Sequence, residues 1–155
     1  MYKINVAASF RVSTQAGGWG FVARNNNGEF LERGYGKSER VSSPLQAEAQ
    51  AALVSLRRVA ELGMSRIVLE TDAANLQKGL TSTELDRSVD GCLFRQIRNF
   101  ISESFVQCVI RACPRSCNKV VDCLASYGAS VARSGSGVYE PSPRLCNCSG
   151  LWRFA

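Results

Sequence analysis

From Lys3 to Phe10 apolar and polar positions alternate loosely, with β-branched and aromatic members, as a half-buried strand requires. Gln15-Ala16-Gly17-Gly18 reads as a turn, residues 19–24 as a second strand, and Asn25-Asn26-Asn27-Gly28 as the close of a hairpin into a third strand over residues 29–36. The period then changes. Leu45, Ala49, Ala52, Leu53, Leu56 and Ala60 recur at helical spacing, with Ser42 or Ser43 as N-cap, Pro44 at the first helical position and Gly63 beyond the end. Residues 65–70 predict a short strand, and Thr71-Asp72 opens a helix carrying Leu76 and Leu80. A third helix is predicted over 91–102 through Leu93, Phe94, Ile97 and Ile101, a fifth strand over 105–111, and a final helix from Cys117 to about Val131. That last helix turns Val120, Val121, Leu124, Ala125 and Gly128 inward. The sum is an α/β fold: a five-stranded mixed sheet, three antiparallel strands then two parallel ones, flanked by helices. Ligands of such sheets gather at the carboxyl ends of strands. Residues 1–132 are expected to form one domain, and 133–155, rich in Ser, Gly and Pro, a flexible tail.

Three carboxylates stand where chemistry is expected. Glu48 lies three residues after Leu45 and four before Ala52, so it shares the helical stripe that faces the sheet, where a carboxylate costs desolvation energy unless a cation or several donors meet it. A Glu at a stripe edge that reaches outward is the structural alternative. Asp72 sits just past the strand Ile67-Val68-Leu69 and can be read as a plain N-cap. Asp122, four residues after Asn118 on the last helix, would by itself pass for a solvated surface charge.

Composition sharpens the choice. The chain of 155 residues has no histidine, which removes Ser-His-Asp and Cys-His hydrolases and HExxH zinc enzymes and leaves acid–base or metal work to carboxylates. Nineteen Lys and Arg against thirteen Asp and Glu, a net charge of +6, favour a polyanionic partner. The longest apolar runs fall far short of a membrane span, and the N-terminus enters a strand pattern directly without the layout of a signal peptide. Seven cysteines, an odd set, point to reduced thiols and an intracellular setting, nucleus or cytoplasm. Cys113-x₃-Cys117 with Cys146-x-Cys148 has poor spacing for a zinc site; Cys108 and Cys123 read as small buried hydrophobes.

The stretches Ala47-Glu48-Ala49, Leu69-Glu70-Thr71-Asp72 and Cys113-Pro114-Arg115-Ser116-Cys117-Asn118-Lys119-Val120-Val121-Asp122 resemble the plant, retroelement-derived reverse-transcriptase-like members of the ribonuclease H family. The resemblance runs from about Lys3 to Gly128 and takes in Gly18-Trp19-Gly20-Phe21-Val22-Ala23-Arg24 and Glu61-Leu62-Gly63. It implies a ribonuclease-H-like fold and hydrolysis of the RNA strand of an RNA–DNA hybrid, with four carboxylates holding two Mg²⁺ (or Mn²⁺) ions, one activating water and the other stabilising the leaving oxygen. By that likeness Glu48 and Asp72 are two metal-binding catalytic ligands and Asp122 is the fourth.

The first acid of the pattern is missing. Where the family has aspartate, Asn5-Val6-Ala7-Ala8-Ser9-Phe10 places Ala7, so three acids remain and the bridging ligand is lost. The chain as written is therefore expected to be inactive or crippled, through an engineered substitution or as a natural pseudoenzyme kept for binding nucleic acid or a protein partner. A side chain at position 7 is expected to point into a pocket shared with residues 48, 72 and 122. For the hybrid, Arg115 and Asn118 ahead of Asp122 are the expected substrate contacts, and Asn75 is a candidate for a 2′-hydroxyl. Arg95, Arg98, Arg111, Arg115 and Lys119 make residues 95–119 the densest basic segment, with Glu103 as its one acid.

Overall fold

A computed structural model describes residues 1–38 and 40–131. The strands are β1 (Tyr2–Arg11), β2 (Ala16–Arg24), β3 (Phe30–Ser38), β4 (Arg66–Thr71) and β5 (Gln107–Ala112). The helices are α1 (Pro44–Glu61), α2 (Ala74–Thr81), α3 (Gly91–Ser104) and α4 (Lys119–Ser130), the last preceded by a 3₁₀ turn over Arg115–Cys117. The sheet order is β3-β2-β1-β4-β5; β1, β2 and β3 pair antiparallel, and β4 and β5 are parallel to β1 and to each other. The predicted mixed sheet is thus the observed one. No helix among the described residues is long and apolar enough to cross a membrane. The expected tail, with Cys146 and Cys148, lies outside the described residues.

Alternation along β1 sends its side chains to two faces. Ile4 and Val6 enter the main core with Ala49, Ala52, Leu56, Leu69, Leu76, Phe94 and Ile97, while Ala7 enters a smaller cluster with Val22, Val121, Leu124 and Ala125. The helix α1 packs on β1, β2 and α3, and α4 lies across β1, β2 and β3 on the other side. Ser43 caps α1 by accepting from the Gln46 N–H at 3.1 Å, Pro44 opens it, and Gly63 follows its end at φ +81°, so α1 begins and ends where its sequence signals lie.

Glycine sets how closely α4 sits. A Cβ at Gly18 would collide with the Ala125 carbonyl and the Ala129 backbone, and one at Gly20 would come within 2.8 Å of the Ala125 nitrogen. Gly20 pairs with Ala7 across β1 and β2, so the helix carrying Asp122 rests on a floor of small residues.

Several predicted elements shift. Strand β2 starts at Ala16, not Trp19, because Ala16, Gly17 and Gly18, read as a turn, pair with Arg11, Phe10 and Ser9 of β1. Strand β5 starts at Gln107, not Phe105, because Phe105 ends α3 and buries its ring in the main core, while Val106 is exposed as the chain turns. The final helix starts at Lys119 because Asn118, at φ −113° and ψ 10°, leaves helical geometry to send its amide into the interior. Cys108 and Cys123 are half-buried, less enclosed than the sequence suggested. Asp72 does not cap α2: that position belongs to Ala73, and no side chain bonds to the helix start.

Candidate functional site

The carboxyl ends of β1 and β4, the start of α1 and the first turn of α4 meet at one edge of the sheet, where Glu48, Asp72 and Asp122 are brought together. Glu48 is largely removed from water, takes a hydrogen bond from the Ala8 backbone, and has one buried oxygen, Oε2, without a hydrogen-bond partner. Burial above all, then the charges of Asp72 and Asp122, push its carboxyl from 4.5 to about 8, against smaller opposing pulls from the Ala8 bond and Arg115. Asp122 is pushed to about 6 by burial and then by Asp72, with Arg115 acting the other way. Asp72 bears on both Glu48 and Asp122, and Asp122 on Glu48, so the three acids form one electrostatic site.

Arg115 stands at its mouth. The side chain is 89% exposed, with Nε 3.9 Å from Asp72 Oδ2. Such a guanidinium keeps most of its donors for an incoming anion. Asn75 is exposed in the first turn of α2, open to solvent as a ligand contact would be.

Asn118 departs from expectation. It is fully buried; Nδ2 donates to the Val6 carbonyl at 2.8 Å and to Asp72 Oδ1 at 3.3 Å, and Oδ1 accepts from Asn5 Nδ2 at 3.2 Å. Both amide hydrogens are committed inside the protein, so Asn118 ties α4 to β1 and orients Asp72 instead of meeting a substrate. Replacing it with Ala is expected to leave Val6 O and Asn5 unsatisfied and to cost about 2 kcal/mol in urea unfolding; an unchanged midpoint would count against this role.

Ala7 presents a fully buried methyl to the apolar cluster with Val22, Val121, Leu124 and Ala125, and the pairing of Asn5 with Glu70, carried two residues on, sets it beside Asp72. The basic segment also divides. Arg98 is spent within the fold, bidentate on Asp86 at 2.7 Å and donating to the Gly79 and Ser82 carbonyls, whereas Arg95 is exposed. Arg111 lies 3.7 Å from Glu70.

Sequence reasoning missed Glu70 and Asn5. Asn5 Nδ2 donates to Glu70 Oε2 at 3.2 Å as well as to Asn118, and its Oδ1 accepts from Arg24 Nη2 at 2.7 Å. A buried line thus runs from Arg24 and Glu70 through the two asparagines to Asp72. Strand period two offered the signal, since Glu70 stands two residues before Asp72 and Asn5 two before Ala7.

The donor chemistry suits a hard divalent cation: three carboxylates, one with an unpartnered buried oxygen. The geometry does not complete a two-ion set, because position 7 offers a methyl and, among the described residues, no group of three or more His, Cys, Asp or Glu side chains is spaced to hold one ion.

Residues 5–128 match the family described as reverse transcriptase-like. None of the curated proteins compared with the chain matches it. Among solved structures, RNase H1 from the archaeon Halobacterium salinarum aligns with a TM-score of 0.70 at 23% identity, covering 82% of this chain and 96% of that one. LC11-RNase H1, isolated from compost by a metagenomic approach and solved in complex with an RNA/DNA hybrid, aligns with a TM-score of 0.75 at 16% identity, covering 83% and 96%. The N-terminal RNase H domain of rv2228c from Mycobacterium tuberculosis aligns with a TM-score of 0.71 at 17% identity, covering 83% and 92%. At these identities the likeness is one of fold, and the fold is ribonuclease-H-like.

Proposed function

The chain belongs to the reverse transcriptase-like family, and from that premise we propose that residues 1–132 are a ribonuclease-H-type domain that engages RNA–DNA hybrids and, with Ala7 in place of the first acid, cleaves them weakly or not at all. The observation that carries this reading is the convergence of Glu48, Asp72 and Asp122 from three separate elements around the unpartnered Glu48 Oε2. In it Glu48, Asp72 and Asp122 would draw closer than they stand here to hold Mg²⁺ or Mn²⁺, and such an ion would supply Lewis-acid stabilisation of a phosphodiester. The chain's own residues do the rest: Arg115 receives a backbone phosphate, Asn118 fixes the Asp72 carboxylate, and the Ala8 N–H holds one oxygen of Glu48. Asn75 is the proposed contact to a 2′-hydroxyl.

A second reading, a binding module without catalysis, is favoured by Ala7 itself, a buried methyl where the family pattern has its first acid. Both readings predict hybrid binding. In fluorescence anisotropy at fixed salt, a labelled hybrid should bind more tightly than duplex DNA of the same sequence. Arg115→Ala should weaken it about 10-fold and lower the salt slope by about one. Equal affinity for both duplexes, or indifference to Arg115→Ala, would remove the hybrid from the reading.

A further inference from the structure

On the α4 face of the sheet, below the acid site, lies a cleft of about 510 Å³ between β5, the start of α4 and the β2–β3 hairpin. That is within the range of sites for small organic ligands. Asn5 and Asn118 separate it from the acids: Asn118 bonds Asp72 on one side, and Asn5 bonds Glu70 on the other. Lys3, Arg24, Arg111 and Lys119 line the cleft against one carboxylate, Glu70, so its lining carries four positive charges and one negative. Glu70 is already shared by Lys3 at 3.4 Å and Arg111 at 3.7 Å, and Arg111 and Lys119 are exposed to what enters.

Two further features narrow the ligand. The start of α4 forms one wall through Lys119, Val120 and Val121, and no side chain caps that helix because Asn118 has turned inward, so the positive end of its dipole lies beside the cleft. Much of the remaining wall is apolar, formed by Val22, Phe30, Pro114, Val120 and Val121, with the polar Asn5 and Ser116 beside them. A bare inorganic anion would leave that wall wet. A second basic segment does not fit either, and residues 132–155 of this chain carry three arginines and a single glutamate.

We propose that this cleft is a binding site for a nucleoside phosphate, with the phosphate at Lys119, Arg111 and the open start of α4 and the nucleoside against Phe30 and Val120. It is distinct from the acid site and independent of hybrid cleavage. The same group could be presented by a free nucleotide or by the 5′-phosphorylated end of a strand.

Calorimetric titration of the full chain tests it with AMP, adenosine, inorganic phosphate and a short single strand with and without its 5′-phosphate. Binding of AMP or of the phosphorylated end is expected to exceed that of phosphate and of the unphosphorylated ligand about 10-fold or more, and Lys119→Glu and Arg111→Gln should each weaken it about 10-fold. Both positions are exposed, and an unchanged melting temperature confirms that the variants are folded. Arg115→Ala, which alters the acid site alone, should leave AMP binding as it is. AMP binding alone assigns the site to a free nucleotide; binding of the phosphorylated strand alone assigns it to a strand end. Failure of both ligands, phosphate binding as tight as AMP, or indifference to both cleft substitutions would overturn the proposal.

Discussion

Ala7→Asp is expected to raise Mg²⁺-dependent cleavage of a labelled RNA–DNA hybrid by about 10²-fold or more over the parent chain, the scale on which a lost transition-state donor is felt. Adding Asp72→Asn in that background should return the rate to the parent level. The substitution also has a structural cost. A carboxylate at residue 7 starts from a fully buried position among Val22, Val121, Leu124 and Ala125, beside the Gly20 floor on which α4 rests. Without divalent ions the variant should therefore lose about 1–3 kcal/mol of stability in urea unfolding, and Mg²⁺ should recover much of that. The two readings of the site part here. Recovery of stability with Mg²⁺ and cleavage together support a disabled nuclease. Loss of stability that Mg²⁺ does not repair, with no cleavage, supports a binding module whose α4 has settled onto the space a carboxylate needs. Ala7→Asn, similar in size and uncharged, shows how much of the cost is steric.

The same contrast marks how far the sequence could be read. Periodicity is local, and it located α1, with its Ser43 cap and following Gly63, because those signals act within a turn of the residues they control. It placed β5 and α4 a residue or two early, because Phe105 and Asn118 are governed by partners far along the chain: the main core for one and Val6 for the other. Spacing alone leaves Asp72 an N-cap and Asp122 a surface charge, and only the resemblance to the ribonuclease H family draws them to Glu48. Spacing could not show that Asn118 points inward, since an Asn four residues before an acid looks alike whether its amide meets solvent or a carbonyl 112 residues away. The cleft beside the site was hidden for the same reason: its cations come from β1, β2, β5 and α4, and no stretch of sequence gathers them.

Glu48 links the electrostatics of the site to the stability of the whole fold. Its folded carboxyl keeps a proton up to about pH 8, while in the unfolded chain it releases that proton near pH 4.5. Between those values the unfolded state binds fewer protons than the native one, so stability falls as pH rises. The contribution is fully present below about pH 4.5 and gone above about pH 8. At about 1.4 kcal/mol per pH unit the ceiling is about 5 kcal/mol. Asp122, raised from 3.8 to about 6, acts in the same direction over the lower part of the window. In urea unfolding with a chelator present, the parent should lose stability relative to Glu48→Gln from pH 5 to pH 8.5, because Gln stands in for the protonated acid at every pH. Parallel curves for the two proteins would mean that Glu48 is ionised and solvated in the fold, and the acid site would lose its central member. Millimolar Mg²⁺ provides the complementary test: a cation held by Glu48, Asp72 and Asp122 compensates the charge that the proton otherwise neutralises, so it should flatten the parent's decline at high pH and leave Glu48→Gln far less affected.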